Sequence, residues 1–168
     1  LDPSALPGDG LAIALAEGRL HRNFQGYTTD DAGALIGVGA SAIGFLPQGF
    51  VQNAAQELPW RKAIAEGRLA TARGVALSDE DRFRGEIIER LMCDLKADLS
   101  ELCARHGREV EVLAPALRRL RDFEDDGLVR LDGACVQITE LGRLLVRSVC
   151  AVFDAYFEPE AGRHSKAI

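Results

Sequence analysis

SDEDRFRGEIIERLMCDL, running from Ser78 to Leu95, is the stretch that decides the fold. Phe83, Ile87, Leu91 and Leu95 recur at every fourth position, and Ile88 and Met92 widen the stripe, which is the spacing of a helix with one buried face. Ser78 stands where an N-cap belongs, with Asp81 three residues on as an acidic variant of the capping box. Working toward the C-terminus, Asp98 to His106 predicts a shorter helix with Leu99, Leu102 and Cys103 on one face and Gly107 just past its end. Val112 to Asp125 predicts a third, carrying Leu113, Ala116, Leu117, Leu120 and Phe123, with Gly127 closing it. The period then shortens. Leu128 to Leu131, the turn Asp132-Gly133, and Ala134 to Ile138 predict a β-hairpin. Thr139 then caps a last helix bearing Leu141, Leu144, Leu145, Val149, Val152, Phe153 and Tyr156. The expected architecture over 78–157 is thus mainly α with a β-hairpin, close to a winged-helix layout, followed by a polar tail at 158–168.

Toward the N-terminus the helical signal weakens. Asn53 to Gly67 reads as a helix entered through Pro59, which costs no donor in a first turn, and 56–77 forms a connecting segment. Leu11 to Glu17 (LAIALAE) is a short helix stopped by Gly18. Arg19 to Tyr27 reads as strand-like, and Leu35 to Phe45 alternates small and apolar residues in a glycine-rich run. Such pieces can hardly bury their own faces, so residues 1–55 are expected to be the tail of a truncated larger domain.

The totals exclude several classes. The chain has 168 residues, 47% hydrophobic and 27% charged, the profile of an ordinary globular protein. Its net charge of -6 splits as -1 over residues 1–77 and -5 over 78–168, which disfavours a large nucleic-acid footprint. No apolar run approaches the length of a membrane span, and LDPSALPGDG has no basic leader, so a cytoplasmic protein is expected. Cys93, Cys103, Cys135 and Cys150 are too widely spaced for a zinc or iron–sulfur pattern and read as reduced core thiols rather than ligands; no metal ligands and no catalytic pair are assigned.

Gly18 to Ser41 holds the chemistry. Phe24, Gln25, Tyr27, Thr28 and Thr29 crowd around Gly26, and Gly33, Gly37, Gly39 and Gly44 follow. A ring, an amide and hydroxyls beside a glycine-loosened backbone can hold a flat, polar-edged ligand; an ordinary strand end and buried loop is the plain alternative. HRNFQGYTT followed by GVGASAI resembles the oxygen-independent coproporphyrinogen III oxidases, radical S-adenosylmethionine enzymes of haem biosynthesis. VQN (Val51–Asn53), RGVALSDEDRFRGEIIERLMC (Arg73–Cys93), ITELGRLLVRSVCAVFDAY (Ile138–Tyr156) and the closing RHSKAI fit the same family in order. The resemblance implies a C-terminal fragment: 1–55 would be a remnant of an α/β radical-SAM barrel, and 78–157 a lid and scaffold over its mouth. It also implies that Phe24, Gln25 and Ile43 contact S-adenosylmethionine in a partial site. The ring would pack on the cofactor, the amide would bond its polar edge, and Ile43 would supply apolar wall.

Arg22 and His21 could face the carboxylates of coproporphyrinogen III, reached through the missing barrel, although a salt bridge to an acid of the barrel serves equally well. The family's [4Fe–4S] cluster needs a CxxxCxxC loop that this chain lacks, so the fragment alone is expected to be inactive. Two other readings stay open. Arg118, Arg119, Arg121 and Arg130 would serve a nucleic-acid-binding winged helix, though Asp122, Glu124, Asp125 and Asp126 follow the arginines directly. A scaffold or interaction module with no ligand of its own is the other. The oligomeric state is left open.

Overall fold

A computed structural model describes Leu6, residues 8–23 and residues 25–157. In chain order its helices are α1 (Gly10–Ala16), α2 (Glu57–Ala65), α3 (Asp79–Asp94), α4 (Leu99–Arg105), α5 (Ala114–Asp125) and α6 (Val146–Cys150). The strands are β1 (His21–Arg22), β2 (Tyr27–Thr28), β3 (Ile43–Leu46), β4 (Gly49–Asn53), β5 (Thr71–Ala76), β6 (Lys96–Asp98), β7 (Val129–Asp132) and β8 (Cys135–Ile138). The chain divides into two compact units: residues up to Thr29 together with those from Phe83 onward, and Asp30–Arg82. In the first unit, Ala14 and Leu20 bury themselves with Cys93 of α3.

The first unit is built on α3. Ser78 caps it as the sequence predicts: its hydroxyl donates to Asp81 Oδ2 at 2.7 Å, and its amide donates to the same oxygen at 2.8 Å. Phe83, Ile87 and Leu91 are fully buried with Leu99, Leu102, Leu113, Leu120, Val136, Val149 and Phe153. Each such side chain stabilises the fold by about 1.5–3 kcal/mol. Helix α4 is capped by Asp98, which accepts the amides of Ser100 and Glu101 at 3.0 and 3.1 Å. Ahead of α5, Val110–Leu113 forms a 3-10 turn, and Pro115 sits in the first turn of the helix. The hairpin forms, but its turn lies one residue later than the sequence predicts: Asp132 ends β7 and pairs with Cys135, Leu131 lies opposite Val136, and Gly133, at φ 58, and Ala134 make the turn. It gains a strand that the sequence did not suggest: β6 pairs with β8, placing Ala97 opposite Val136 in the order β6-β8-β7. Leu95, at φ 57, turns the chain out of α3 into that strand.

The last helix is shorter than its sequence period suggests. Gly142–Leu145 is a 3-10 turn, and only Val146–Cys150 is α-helical. Gly142 is pressed so closely on Leu128 that a Cβ there would meet the carbonyl oxygen at 1.9 Å. Thr139 fixes that approach, its hydroxyl donating to the Gly127 carbonyl at 2.7 Å and accepting the Gly142 amide at 3.0 Å. Leu141 and Leu144 therefore face outward, whereas Val149, Val152 and Phe153 are buried.

The second unit is an antiparallel sheet in the order β3-β4-β5, with α2 connecting β4 to β5. Ile43 pairs with Gln52, Phe50 with Val75, and Leu35 forms a bridge to Phe45. The glycine run allows close approach, but to its own backbone. A Cβ on Gly37 would lie 2.7 Å from the Ile43 carbonyl oxygen, and one on Gly44 2.8 Å from that of Leu35. Among the described residues every strand pairing is antiparallel, so none of the parallel pairing of an α/β barrel is present. None of the described helices is long and apolar enough to cross a membrane.

Candidate functional site

The segment expected to run as one strand from Arg19 to Tyr27 doubles back on itself. His21 pairs with Thr28 and Arg22 with Tyr27, and Asn23 and Gly26 exchange backbone hydrogen bonds at 2.9 and 3.3 Å. These close a two-residue loop. The Asn23 side chain tightens it, its Oδ1 accepting the amides of Gln25 and Gly26 at 2.8 and 3.2 Å. Gly26, at φ 148, supplies the backbone geometry that other residues resist. Gln25 is exposed, and its side-chain amide makes no hydrogen bond among the described residues. Phe24, expected beside it, lies outside the described residues.

His21 and Arg22 precede the loop. His21 Nδ1 stands 3.2 Å from Glu89 Oε1, so the histidine already has a carboxylate partner. The exposed Arg22 guanidinium lies 5.8 Å from the centroid of the Tyr27 ring, a modest cation–π contact. Tyr27 in turn donates its hydroxyl to the Met92 carbonyl at 3.2 Å.

His21 opens onto a groove of about 640 Å³. Five carboxylates line it, Glu86, Glu89, Asp94, Asp98 and Glu101, against the cations Arg90, Lys96 and Arg105. Such a lining repels a polyanion. Arg90 bonds Asp94 Oδ2 at 2.8 Å, Arg105 bonds Glu86 at 2.8 Å, and His106 Nε2 lies 2.6 Å from Glu86. Asp94 Oδ1 is buried and has no hydrogen-bond partner among the described residues. Burial pushes the Asp94 carboxyl above its ordinary range, and the neighbouring Arg90 guanidinium only partly reverses this.

Ile43 belongs to the other unit. It is half-buried on β3 and lines a shallow hollow of about 160 Å³ with Phe50, Val51, Gln52, Arg73, Gly74 and Val75. Arg73 Nε donates to Gln52 Oε1 at 2.7 Å across β4 and β5, which leaves the floor apolar and one rim polar. Of the residues singled out from sequence, His21, Arg22 and Gln25 therefore share one hairpin, and Ile43 sits on a sheet of its own unit.

All four cysteines are free thiols. Burial pushes Cys93 up to about 11 and Cys150 up to about 12, and raises Cys103 as well. Cys135 is only half-buried, a departure from the expectation of four core thiols. Ligating sulfur has to be thiolate, which these environments oppose, and no group of three or more His, Cys, Asp or Glu able to hold a metal occurs among the described residues. The residues present here do not fit an iron–sulfur cluster. Glu89, Asp94 and Asn23 are the site residues that sequence reasoning missed. Glu89 reaches across 68 positions of sequence to His21, and nothing local marks such a contact.

Comparison with known proteins sets this geometry in context. Residues 77–145 match the HemN C-terminal domain. Over its whole length the chain is 51% identical to the oxygen-independent coproporphyrinogen III oxidase of Bradyrhizobium diazoefficiens, of which it covers 37%. It is 44% identical to that of Paracoccus denitrificans, again covering 37%. The solved structure of the coproporphyrinogen III oxidase HemN from Escherichia coli, a radical SAM enzyme, matches 91% of the chain with a TM-score of 0.86 and 38% identity, and 36% of that chain is covered. Residues 77–145 thus match a HemN C-terminal domain, and the chain as a whole is similar in sequence and fold to oxygen-independent coproporphyrinogen III oxidases. It spans a little over a third of the length of these relatives.

Proposed function

We propose that this chain is the C-terminal portion of a radical-SAM coproporphyrinogen dehydrogenase. The enzyme would convert coproporphyrinogen III to protoporphyrinogen IX by oxidative decarboxylation of two propionates, within cytoplasmic haem biosynthesis. The observation that carries the reading is the agreement of fold and sequence with the Escherichia coli enzyme over 91% of the chain. The S-adenosylmethionine and [4Fe–4S] cluster of such an enzyme would supply radical chemistry; the cluster would be ligated by polypeptide outside this chain.

Within this portion, the 23–26 loop would present Gln25 to S-adenosylmethionine, with Phe24 packing beside it. An exposed amide with no partner among the described residues can donate to and accept from a polar ligand edge. Ile43 would contribute apolar wall from its sheet hollow. Arg22 is the better of the two candidate substrate contacts. Its guanidinium is exposed, whereas His21 is engaged by Glu89 and faces a net acidic groove. The order α3-β6-α4-α5-β7-β8 supports a winged-helix-like scaffold, which here would serve as lid rather than nucleic-acid reader. A nucleic-acid role gains nothing from the groove, whose carboxylates outnumber its cations.

The test is turnover of coproporphyrinogen III by the full-length polypeptide reconstituted with iron and sulfide. Gln25→Ala should raise the S-adenosylmethionine requirement about tenfold, the scale of one lost hydrogen bond to a charged ligand. No turnover by the reconstituted wild type would defeat the reading, and unchanged kinetics in Gln25→Ala would remove Gln25 from it.

A further inference from the structure

Helix α3 does more than fill the core of its unit. Glu89 Oε1 lies 3.2 Å from His21 Nδ1 and accepts the Arg22 backbone N–H at 3.3 Å, so a single carboxylate oxygen touches both residues of β1. Its other oxygen is 3.9 Å from the Arg90 guanidinium. One turn further along α3, the Met92 carbonyl accepts the Tyr27 hydroxyl at 3.2 Å. Positions 89 and 92 lie on one face of a helix. The two strands of the hairpin are therefore each tied to that face, and Asn23 and Gly26 close the loop between them.

We propose that Glu89 is a positioning residue: it anchors β1 to α3 and thereby fixes the orientation of the 23–26 loop for its ligand. This rests on the reading of that loop as a cofactor edge. Direct recognition by Glu89 is the weaker role. Its Oε1 is committed to β1, and a carboxylate there would repel the substrate's propionates. Glu89 and His21 keep 30% and 35% of their side-chain surface exposed, so replacing the carboxylate leaves no large cavity. A hydrogen bond to a charged acceptor nevertheless contributes more than a neutral one.

The test uses the full-length polypeptide carrying Glu89→Ala or Glu89→Gln, with amide hydrogen exchange followed by mass spectrometry on peptides covering 20–28 and 83–94. Glu89→Ala should accelerate exchange in 20–28 at least tenfold and leave the α3 peptide protected. Glu89→Gln, which keeps an acceptor for the Arg22 amide, should recover most of the protection. Equal acceleration in both peptides would reduce Glu89 to a general stabiliser of the fold, and unchanged exchange in 20–28 would overturn the anchoring outright. In parallel, the Kd for S-adenosylmethionine should weaken about tenfold in Glu89→Ala and return toward wild type in Glu89→Gln. A loosened loop with an unchanged Kd would defeat the assignment of the loop to the cofactor while leaving the anchor intact.

Discussion

Gly49→Ala is the substitution whose cost follows most directly from the coordinates. Gly49 is buried at the start of β4, opposite Leu46 of β3 and Ala76 of β5, with φ 148. A Cβ built there lies 2.0 Å from the Val75 carbonyl oxygen and 2.9 Å from the Ala76 Cα. Both obstacles are backbone. A carbon and a carbonyl oxygen settle at about 3.3 Å or more, so β5 would have to retreat by more than 1 Å. That retreat breaks one or two ladder bonds, at about 1 kcal/mol each, and the φ adds about 1–2 kcal/mol for any L-residue. The total is about 2–4 kcal/mol. Circular-dichroism melting should show a Tm lowered by about 4–16 °C, and hydrogen exchange should accelerate across Thr71–Ala76. Gly85→Ala, exposed in the interior of α3 with nothing within 4 Å of its Cβ, should instead stabilise by about 0.5–1 kcal/mol. A Gly49→Ala protein with wild-type Tm and protected β5 amides would refute the reasoning.

Asp94→Asn should be neutral or stabilising at pH 7, measured by urea unfolding, because the half-buried carboxylate is disfavoured in the folded state. Since its folded pKa is raised, the wild type should gain on the variant as pH falls through the carboxylate range, and the opposite trend would contradict the burial argument. The raised thiol values of Cys93 and Cys150 imply the same sign at the alkaline end: the unfolded thiols ionise first, so stability should decline as pH climbs from about 9 toward 11, and a flat profile there would count against it. Iodoacetamide at pH 8 should modify Cys135 before the other three, read by peptide mass spectrometry; early modification of Cys93 would show that α3 is not sealed. Asn23→Ala removes the acceptor for two loop amides and should cost about 1–2 kcal/mol locally, seen as faster exchange at Gln25 and Gly26 with Tm nearly unchanged.

The helices of 78–125 were legible because their apolar residues repeat at the period of the helix and their ends carry Ser78, Asp98, Gly107 and Gly127, each of which acts locally. The β7–β8 hairpin was legible because Gly133 marks a turn between two apolar runs, although the turn is Gly133-Ala134 rather than Asp132-Gly133, since Asp132 pairs with Cys135 as the last residue of β7. What the sequence hid is long-range. Lys96-Ala97-Asp98 is too short to show alternation and becomes a strand only because β8 offers it an edge. The last helix was overread because Leu141 and Leu144 have helical spacing, but Thr139 and Gly142 lock that stretch against Leu128 first. At the site, the polar tip around Gln25 was visible as an unusual run of residue types. Its hairpin form depends on the Asn23 side chain, and its anchorage on Glu89, neither of which leaves a periodic trace.

The two faces of α3 join these observations. Phe83, Ile87, Leu91 and Met92 put one face into the core, while Glu89, Cys93 and the Met92 carbonyl meet α1 and the hairpin. A helix buried this way cannot shift to repair a defect on one side without moving the other, because close-packed interiors transmit strain rather than absorb it. Leu91→Ala should therefore do two things at once. It should cost about 2–5 kcal/mol of stability through the cavity it leaves. It should also loosen the 20–28 hairpin, because the turn carrying Glu89 and Met92 is the one whose packing is lost. Hydrogen exchange separates this from simple destabilisation under strongly native conditions, where global unfolding is too rare to contribute. Faster exchange at Arg22 there would mean that the core sets the order of the loop, whereas unchanged exchange would mean that the Glu89 and Tyr27 tethers hold the hairpin independently of the packing beneath them.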